Sequence, residues 1–174
     1  MSQNKKERVL FTREDIAFRI KEMGAEISEY YQGNEIVVIS LLRGSFIFAA
    51  DLVREINSPV EVDFMTTASY GDEEVSSGIV NILQDIRTDI KNRDVLVVDD
   101  IIDTGNTLLR VVEHLSLKEP KSIKICVMLD KPSRRKVDLQ PDFSGFVIPD
   151  VFIVGYGLNY GNYYRNIPYI FTFE

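Results

Sequence analysis

Val95-Leu96-Val97-Val98-Asp99-Asp100-Ile101-Ile102-Asp103-Thr104-Gly105-Asn106-Thr107 is the stretch that decides how this chain folds. Its first four residues are apolar and mostly β-branched, and they read as a strand buried on both faces. The strand delivers two adjacent carboxylates, then a third, into a short loop of Thr, Gly and Asn. That loop opens a helix carrying Leu108, Leu109, Val111, Val112 and Leu115. A strand end, a turn rich in backbone N–H groups and a helix N-terminus together form a cradle for an anion. Acidic side chains crowding such a cradle suit a bare phosphate badly. They suit a ligand with a phosphate at one end and a hydroxyl-bearing, cation-forming sugar at the other. A strand that merely ends in solvated Asp residues explains Asp99 or Asp100 alone. It does not explain two vicinal acids plus Asp103-Thr104-Gly105 in one turn.

Outward from this stretch, the chain alternates helices with apolar strands. Thr12-Arg13-Glu14-Asp15 has the form of a helix N-cap, and Ile16, Ile20, Met23 and Ile27 give one apolar face up to about Tyr30. Residues 35–42 form a continuous apolar strand. Phe46 to Ile56 reads as a helix, and Val60 to Thr67 alternates as a strand does. Ser69 to Ser77 is polar and turn-like, a candidate flap. Gly78 to Leu83 is expected to be a strand paired with another near Ile86. Further strands are expected at 121–129 and 151–154, with an irregular basic segment between them. The fold class is therefore α/β, a parallel twisted sheet with helices on both faces. Ligands in such sheets bind beyond the carboxyl ends of the strands. Three ends carry chemistry here: Leu42-Arg43-Gly44-Ser45, the acidic turn, and Leu129-Asp130-Lys131. Right-handed crossovers bring them to one edge.

With 174 residues the chain suits one domain, large enough to bury roughly 70% of its unfolded surface. A net charge of −7 argues against a broad nucleic-acid footprint, although Lys131, Arg134, Arg135 and Lys136 lie close enough for a local basic patch. The single cysteine, Cys126, sits in an apolar run and reads as a core residue. The N-terminus is polar, and no apolar stretch reaches membrane-spanning length, so a reducing cytoplasm is the expected setting. Gly155, Gly157 and Gly161 are spaced one residue too far apart for a dinucleotide fingerprint, and Tyr and Asn interrupt where its helix belongs. His114, within the helix after the acidic turn, is expected to be structural.

Hydrophobic-Asp-Asp-hydrophobic-hydrophobic-Asp-Thr-Gly-x-Thr resembles the phosphoribosyl-diphosphate (PRPP) binding motif of the type I phosphoribosyltransferases. Further blocks follow in the same order from Val37 to Arg165: Leu42-Arg43-Gly44, Leu129-Asp130-Lys131-Pro132-Ser133-Arg134-Arg135, Phe143 to Asp150, and Phe152 to Leu158. They are similar to the hypoxanthine-guanine branch of that family.

The resemblance implies a Rossmann-like core, about 35–130, within a single domain spanning 1–174. A flap at 69–77 and a small hood from the N- and C-terminal segments complete it. It implies transfer of a phosphoribosyl group from PRPP to N9 of a 6-oxopurine, hypoxanthine and also guanine, with Mg²⁺. By resemblance, Asp99 and Asp100 meet the ribose hydroxyls and the metal, while Asp103, Thr104, Gly105, Asn106 and Thr107 hold the 5′-phosphate. Asp103 also takes the purine proton at N7. Leu42, Arg43 and Gly44, with a cis peptide after Leu42, and Arg165 receive the diphosphate. Lys131 donates to the purine O6, Phe152 stacks on the ring, and the Ile153 backbone reads its edge. Ser69 and Tyr70 begin the catalytic flap.

One position departs from the family pattern. Asn159 stands where an Asp helps to hold a second Mg²⁺, keeping a carbonyl ligand but losing the charge. A homodimer or homotetramer is implied, with no nucleic-acid or membrane partner. Two alternatives stay open at this point: a PRPP-sensing regulator, and a transferase acting on adenine, xanthine or a pyrimidine. An amino group at purine C6 would offer Lys131 no acceptor, which disfavours adenine.

Overall fold

The structure is a computed structural model and describes residues 6–69 and 80–174. Strand β1 (Glu7–Phe11) leads into helix α1 (Arg13–Tyr31). Thr12 and Asp15 close a reciprocal capping box at its start: Asp15 N–H donates to Thr12 Oγ1 (3.1 Å), and Thr12 N–H to Asp15 Oδ2 (2.9 Å). Gln32, in the left-handed region at φ 49°, ends it. Then follow β2 (Ile36–Leu42), α2 (Phe46–Val53), β3 (Val60–Ser69), β4 (Val80–Gln84), β5 (Asp94–Ile102), α3 (Asn106–Ser116) and β6 (Ser122–Asp130). A 3-10 turn at Pro132–Arg134, β7 (Phe143–Val147) and β8 (Ile170–Phe173) complete the chain.

Six strands form one sheet in the order β4-β3-β2-β5-β6-β7, parallel except for β4, which runs antiparallel to β3. The central strands are buried on both faces, so successive side chains serve opposite layers. Val38, Leu96, Val98 and Cys126 pack with Ile16, Ile20, Met23, Phe48 and Leu52 of α1 and α2. Val37, Ile39, Val95, Val97 and Val127 pack with Leu108, Val111 and Leu115 of α3. Cys126 is thus a core residue, as its apolar run indicated. Away from the sheet, β1 and β8 pair antiparallel and bring the two ends of the chain together.

Several boundaries differ from the expected ones. β5 does not stop at Val98. Its pairing with β6 continues through Asp99–Val127, Ile101–Leu129 and Ile102–Asp130, so the vicinal acids are strand residues rather than loop residues. β4 pairs back onto β3 and not with a strand near Ile86. α2 ends at Val53, three residues early. The expected Val151–Val154 strand is only a single bridge, Val154 to Phe171. The strand after β6 is instead Phe143–Val147, which extends the sheet parallel to β6. The expected flap falls outside the described residues, apart from the backbone of Ser69, which ends β3. Tyr70 also lies outside them.

Candidate active site

The chain leaves β2 toward β3 on one side, while β5 lies on the other side of β2. That gap is the switch point at which open α/β sheets bind their ligands. Parallel register brings the carboxyl ends of β2, β5 and β6 together, with Ser40 opposite Val98 and Ile102 opposite Asp130.

At the end of β5 a cavity of about 230 Å³ is lined by Asp99, Asp100, Asp103, Thr104, Gly105 and Thr107. Gly105 turns the chain at φ 86°, and a Cβ there would fall 2.7 Å from Val137 Cγ2. Glycine suits both the conformation and the space. α3 begins at Asn106 without a side-chain cap from Gly105, and among the described residues the N–H groups of Thr107 and Leu108 in its first turn make no hydrogen bond, so they are available to a ligand anion. Thr104 Oγ1 accepts from Asn106 N–H (3.3 Å), and Thr104 O accepts from Lys136 N–H (2.9 Å), which fixes the loop.

The two vicinal acids are half-buried. Asp100 N–H donates to Asp99 Oδ1 (2.9 Å), and Ile101 N–H donates to Asp100 Oδ1 (2.8 Å). Burial, reinforced by the Asp100 charge, holds the Asp99 carboxyl well above the usual carboxylate range. Burial raises Asp100 as well, against its hydrogen bonds and the nearby positive charge of Arg165. No ion pair reaches either carboxylate among the described residues. Two crowded acids of this kind form a site that a cation would relax.

The β2–α2 loop closes against this pair. The Leu42–Arg43 peptide is cis, and Arg43 is exposed. Ser45 is fully buried, sharing a 2.7 Å hydrogen bond with the Ser40 hydroxyl and donating to Leu41 O (2.6 Å). From the C-terminal segment, Gly157 packs on the Gly44 carbonyl, 2.3 Å from where a Cβ would lie. Arg165 Nη1 donates to Gly157 O (2.6 Å) and Gly157 N–H to Arg165 O (2.9 Å), so Arg165 is fixed beside the same loop.

Lys131 follows β6, only 7% exposed, with its N–H on Ile102 O at 3.0 Å. That bond ties it to the acidic corner. Phe152 is not a core residue but 56% exposed, edge-to-face with Tyr160 at 5.7 Å. Ile153 is buried, and its peptide groups make no hydrogen bond among the described residues. Asn159 Nδ2 donates to Gly161 O at 2.6 Å, so its amide is engaged within its own loop. Asp103 pairs with Arg134 (Nε to Oδ1, 3.2 Å). His114 lies away from the corner and pairs with Asp85 at 2.9 Å.

Of the four basic residues close enough in sequence for a local patch, two turn inward. The Arg135 side chain is buried, paired with Asp130, and donates to the carbonyls of Asp103 and Leu139. With Lys131 buried too, only Arg134 and Lys136 remain to face solvent. Nothing in the sequence separated Arg135 from its neighbours, because which of two adjacent arginines turns inward depends on the 3-10 turn before it.

Fold and corner together define a class, the type I phosphoribosyltransferase fold. The phosphoribosyl transferase domain model matches residues 10–161, and the chain belongs to that family. It is 53% identical over 164 residues to the hypoxanthine phosphoribosyltransferase of Salmonella typhimurium, covering 93% of this chain and 92% of that protein. It is 48% identical to the hypoxanthine-guanine phosphoribosyltransferase of Bacillus subtilis, covering 94% and 91%. Among solved structures, a hypoxanthine-guanine phosphoribosyltransferase from Bacillus anthracis superposes with TM-score 0.92 at 45% identity, covering 97% of this chain and 99% of that one.

Proposed function

We propose that this protein transfers the 5-phosphoribosyl group of PRPP to N9 of a 6-oxopurine, releasing diphosphate. Hypoxanthine and guanine are the substrates, giving IMP and GMP. The observation that carries the reading is the 3.0 Å bond from Lys131 N–H to Ile102 O. It fastens a buried ammonium, suited to an oxo group, beside the acidic corner suited to a sugar phosphate.

Displacement at ribose C1 builds positive charge on C1 and O4 and negative charge on the leaving diphosphate. Asp99 and Asp100 accept hydrogen bonds from the 2′- and 3′-hydroxyls, orient the ring and place negative charge beneath the developing cation. Backbone and hydroxyl groups of residues 104–107 hold the 5′-phosphate. Arg43 and Arg165 receive the diphosphate. Lys131 donates to O6, Phe152 offers a stacking face, and the peptide groups of Ile153 read the base edge. Asp103 accepts the proton that leaves N7.

Asp99 and Asp100, two crowded carboxylates that no ion pair reaches among the described residues, fit a Mg²⁺ and would hold it. Among the described residues no group of three or more His, Cys, Asp or Glu side chains could cage a metal alone. Mg²⁺ bound there supplies charge neutralisation for the departing diphosphate. Asn159 Oδ1 is the remaining candidate ligand, the Nδ2 being held by Gly161. No helix among the described residues is long and apolar enough to cross a membrane. We place the protein in the cytoplasm as a homodimer or homotetramer.

Steady-state assays with PRPP, Mg²⁺ and hypoxanthine, guanine, xanthine or adenine in parallel test the reading. Hypoxanthine and guanine should turn over, with adenine at least about 10²-fold lower in kcat/KM. Adenine turning over as well as hypoxanthine would contradict it.

A further inference from the structure

Lys131-Pro132-Ser133-Arg134-Arg135 bends through a 3-10 turn, with Arg134 N–H on Lys131 O (3.1 Å) and Arg135 N–H on Pro132 O (3.2 Å). The turn sends two adjacent arginines to different places. Arg135, 7% exposed at its side chain, goes inward to Asp130. Arg134, 48% exposed, stays over the site and meets two carboxylates from separate segments. Its Nε donates to Asp103 Oδ1 (3.2 Å), and its Nη1 donates to Asp150 Oδ2 (3.4 Å). The other oxygen of Asp150 lies 3.7 Å from Lys131 Nζ. Charges therefore alternate along one chain: Asp103, Arg134, Asp150, Lys131.

Exposed ion pairs contribute little stability, commonly below ~1 kcal/mol. What this chain does offer is geometry. Its two ends are an acceptor for the proton at purine N7 and a donor to O6, atoms that neighbour each other on one edge of the base. The two ends also belong to different strands, Asp103 after β5 and Lys131 after β6. Asp150 belongs to the segment that leads into Phe152. One guanidinium thus ties the proton acceptor to both the O6 donor and the stacking segment. Its planar fork can serve two carboxylates at fixed directions, which an ammonium cannot do.

We propose that Arg134 is a positioning residue for purine recognition: by bridging Asp103 and Asp150 it sets the spacing between Asp103 and Lys131 that a 6-oxopurine edge requires. It acts through the Asp103 and Asp150 carboxylates and is assigned no contact with PRPP or the purine. The inference rests on the transferase reading above, and its effect should fall on the base and not on PRPP.

The test is a kinetic series on the full-length protein: Arg134→Ala, Arg134→Lys, Asp150→Asn and the double variant Arg134→Ala/Asp150→Asn, with hypoxanthine and PRPP varied separately. Arg134→Ala should lower kcat/KM for hypoxanthine about 10- to 100-fold, the scale of a small misplacement of reacting groups. The KM for PRPP should stay within about twofold of wild type, and the melting temperature should be unchanged. Arg134→Lys, which keeps the charge but loses the fork, should recover part of the loss. In the Asp150→Asn background, Arg134→Ala should cost clearly less than it does alone, because both act through one chain. Wild-type kcat/KM in Arg134→Ala, an equal loss in PRPP KM, or full additivity with Asp150→Asn would each overturn the inference while wild-type turnover stands. Absence of wild-type turnover on any 6-oxopurine would overturn the underlying reading, and this inference with it.

Discussion

A methyl group at Gly44 would lie 1.9 Å from Asp100 Oδ2 and 2.6 Å from its Cγ. The β2–α2 loop therefore sits directly on one of the two vicinal acids, and the absence of a side chain at residue 44 is what lets the two ends of the site meet. Any substitution there must push either the loop or the carboxylate away.

Gly44→Ala should accordingly lower kcat/KM for PRPP by about 10²-fold, since shifts of an ångström at a reacting centre have that scale. The fold should survive, with overpacking costing about 1–3 kcal/mol. Steady-state kinetics beside a urea unfolding curve checks both halves; kinetics within threefold of wild type would show that the contact is not needed.

Asp103→Asn removes the carboxylate proposed as proton acceptor while keeping size and shape. It should reduce kcat by roughly 10²–10⁴-fold, the usual scale of general acid–base help. Turnover near the wild-type rate would remove Asp103 from that role.

The acid pair has a signature in stability. Asp99 has its carboxyl raised by burial and by Asp100, so the folded state binds that proton more tightly than the unfolded chain does. Its favourable contribution is complete below the unfolded value, about pH 4, and is lost as pH rises through the folded value. In protein free of metal and PRPP, Asp99→Asn should therefore melt above wild type at neutral pH, and the gap should close as pH falls toward 4. Thermal melts across that range check it. Wild type melting higher at pH 7 would mean that the crowding is not real.

How much of this was legible in the sequence depends on how local the cause is. The capping box at Thr12 and Asp15, the apolar β2 and β5, and the β5–α3 turn follow from neighbours in the chain, and they appear where the pattern placed them. The convergence of strand ends followed from the crossover rule. Features set by long-range pairing did not show. β5 extends through Asp99 and Asp100 only because β6 continues beside it. β7 at Phe143–Val147 forms because β6 presents an open edge, and the β1–β8 ribbon joins residues more than 150 positions apart. Among the described residues, the apolar run at Val151–Val154 pairs as a strand does only through a single bridge, Val154 to Phe171. Within the site, the Arg134 bridge had no sequence signal, since Asp103 and Asp150 become neighbours only in the fold.

Arg135 illustrates the cost of such hidden pairing. Its guanidinium and the Asp130 carboxylate are both nearly inaccessible, and removing one leaves the other buried without compensation. Arg135→Ala should destabilise the protein by about 3–5 kcal/mol. The loss should be read from denaturant unfolding, and a change below about 1 kcal/mol would show that the pair is solvated.

Everything in the proposed reaction depends on the corner between β5 and α3 gripping an activated sugar phosphate. A crystal structure of the protein with PRPP and Mg²⁺ would decide this. The ribose hydroxyls should lie on Asp99 and Asp100 and the 5′-phosphate on the N–H groups of residues 104–107. PRPP bound elsewhere, with that corner empty, would contradict it.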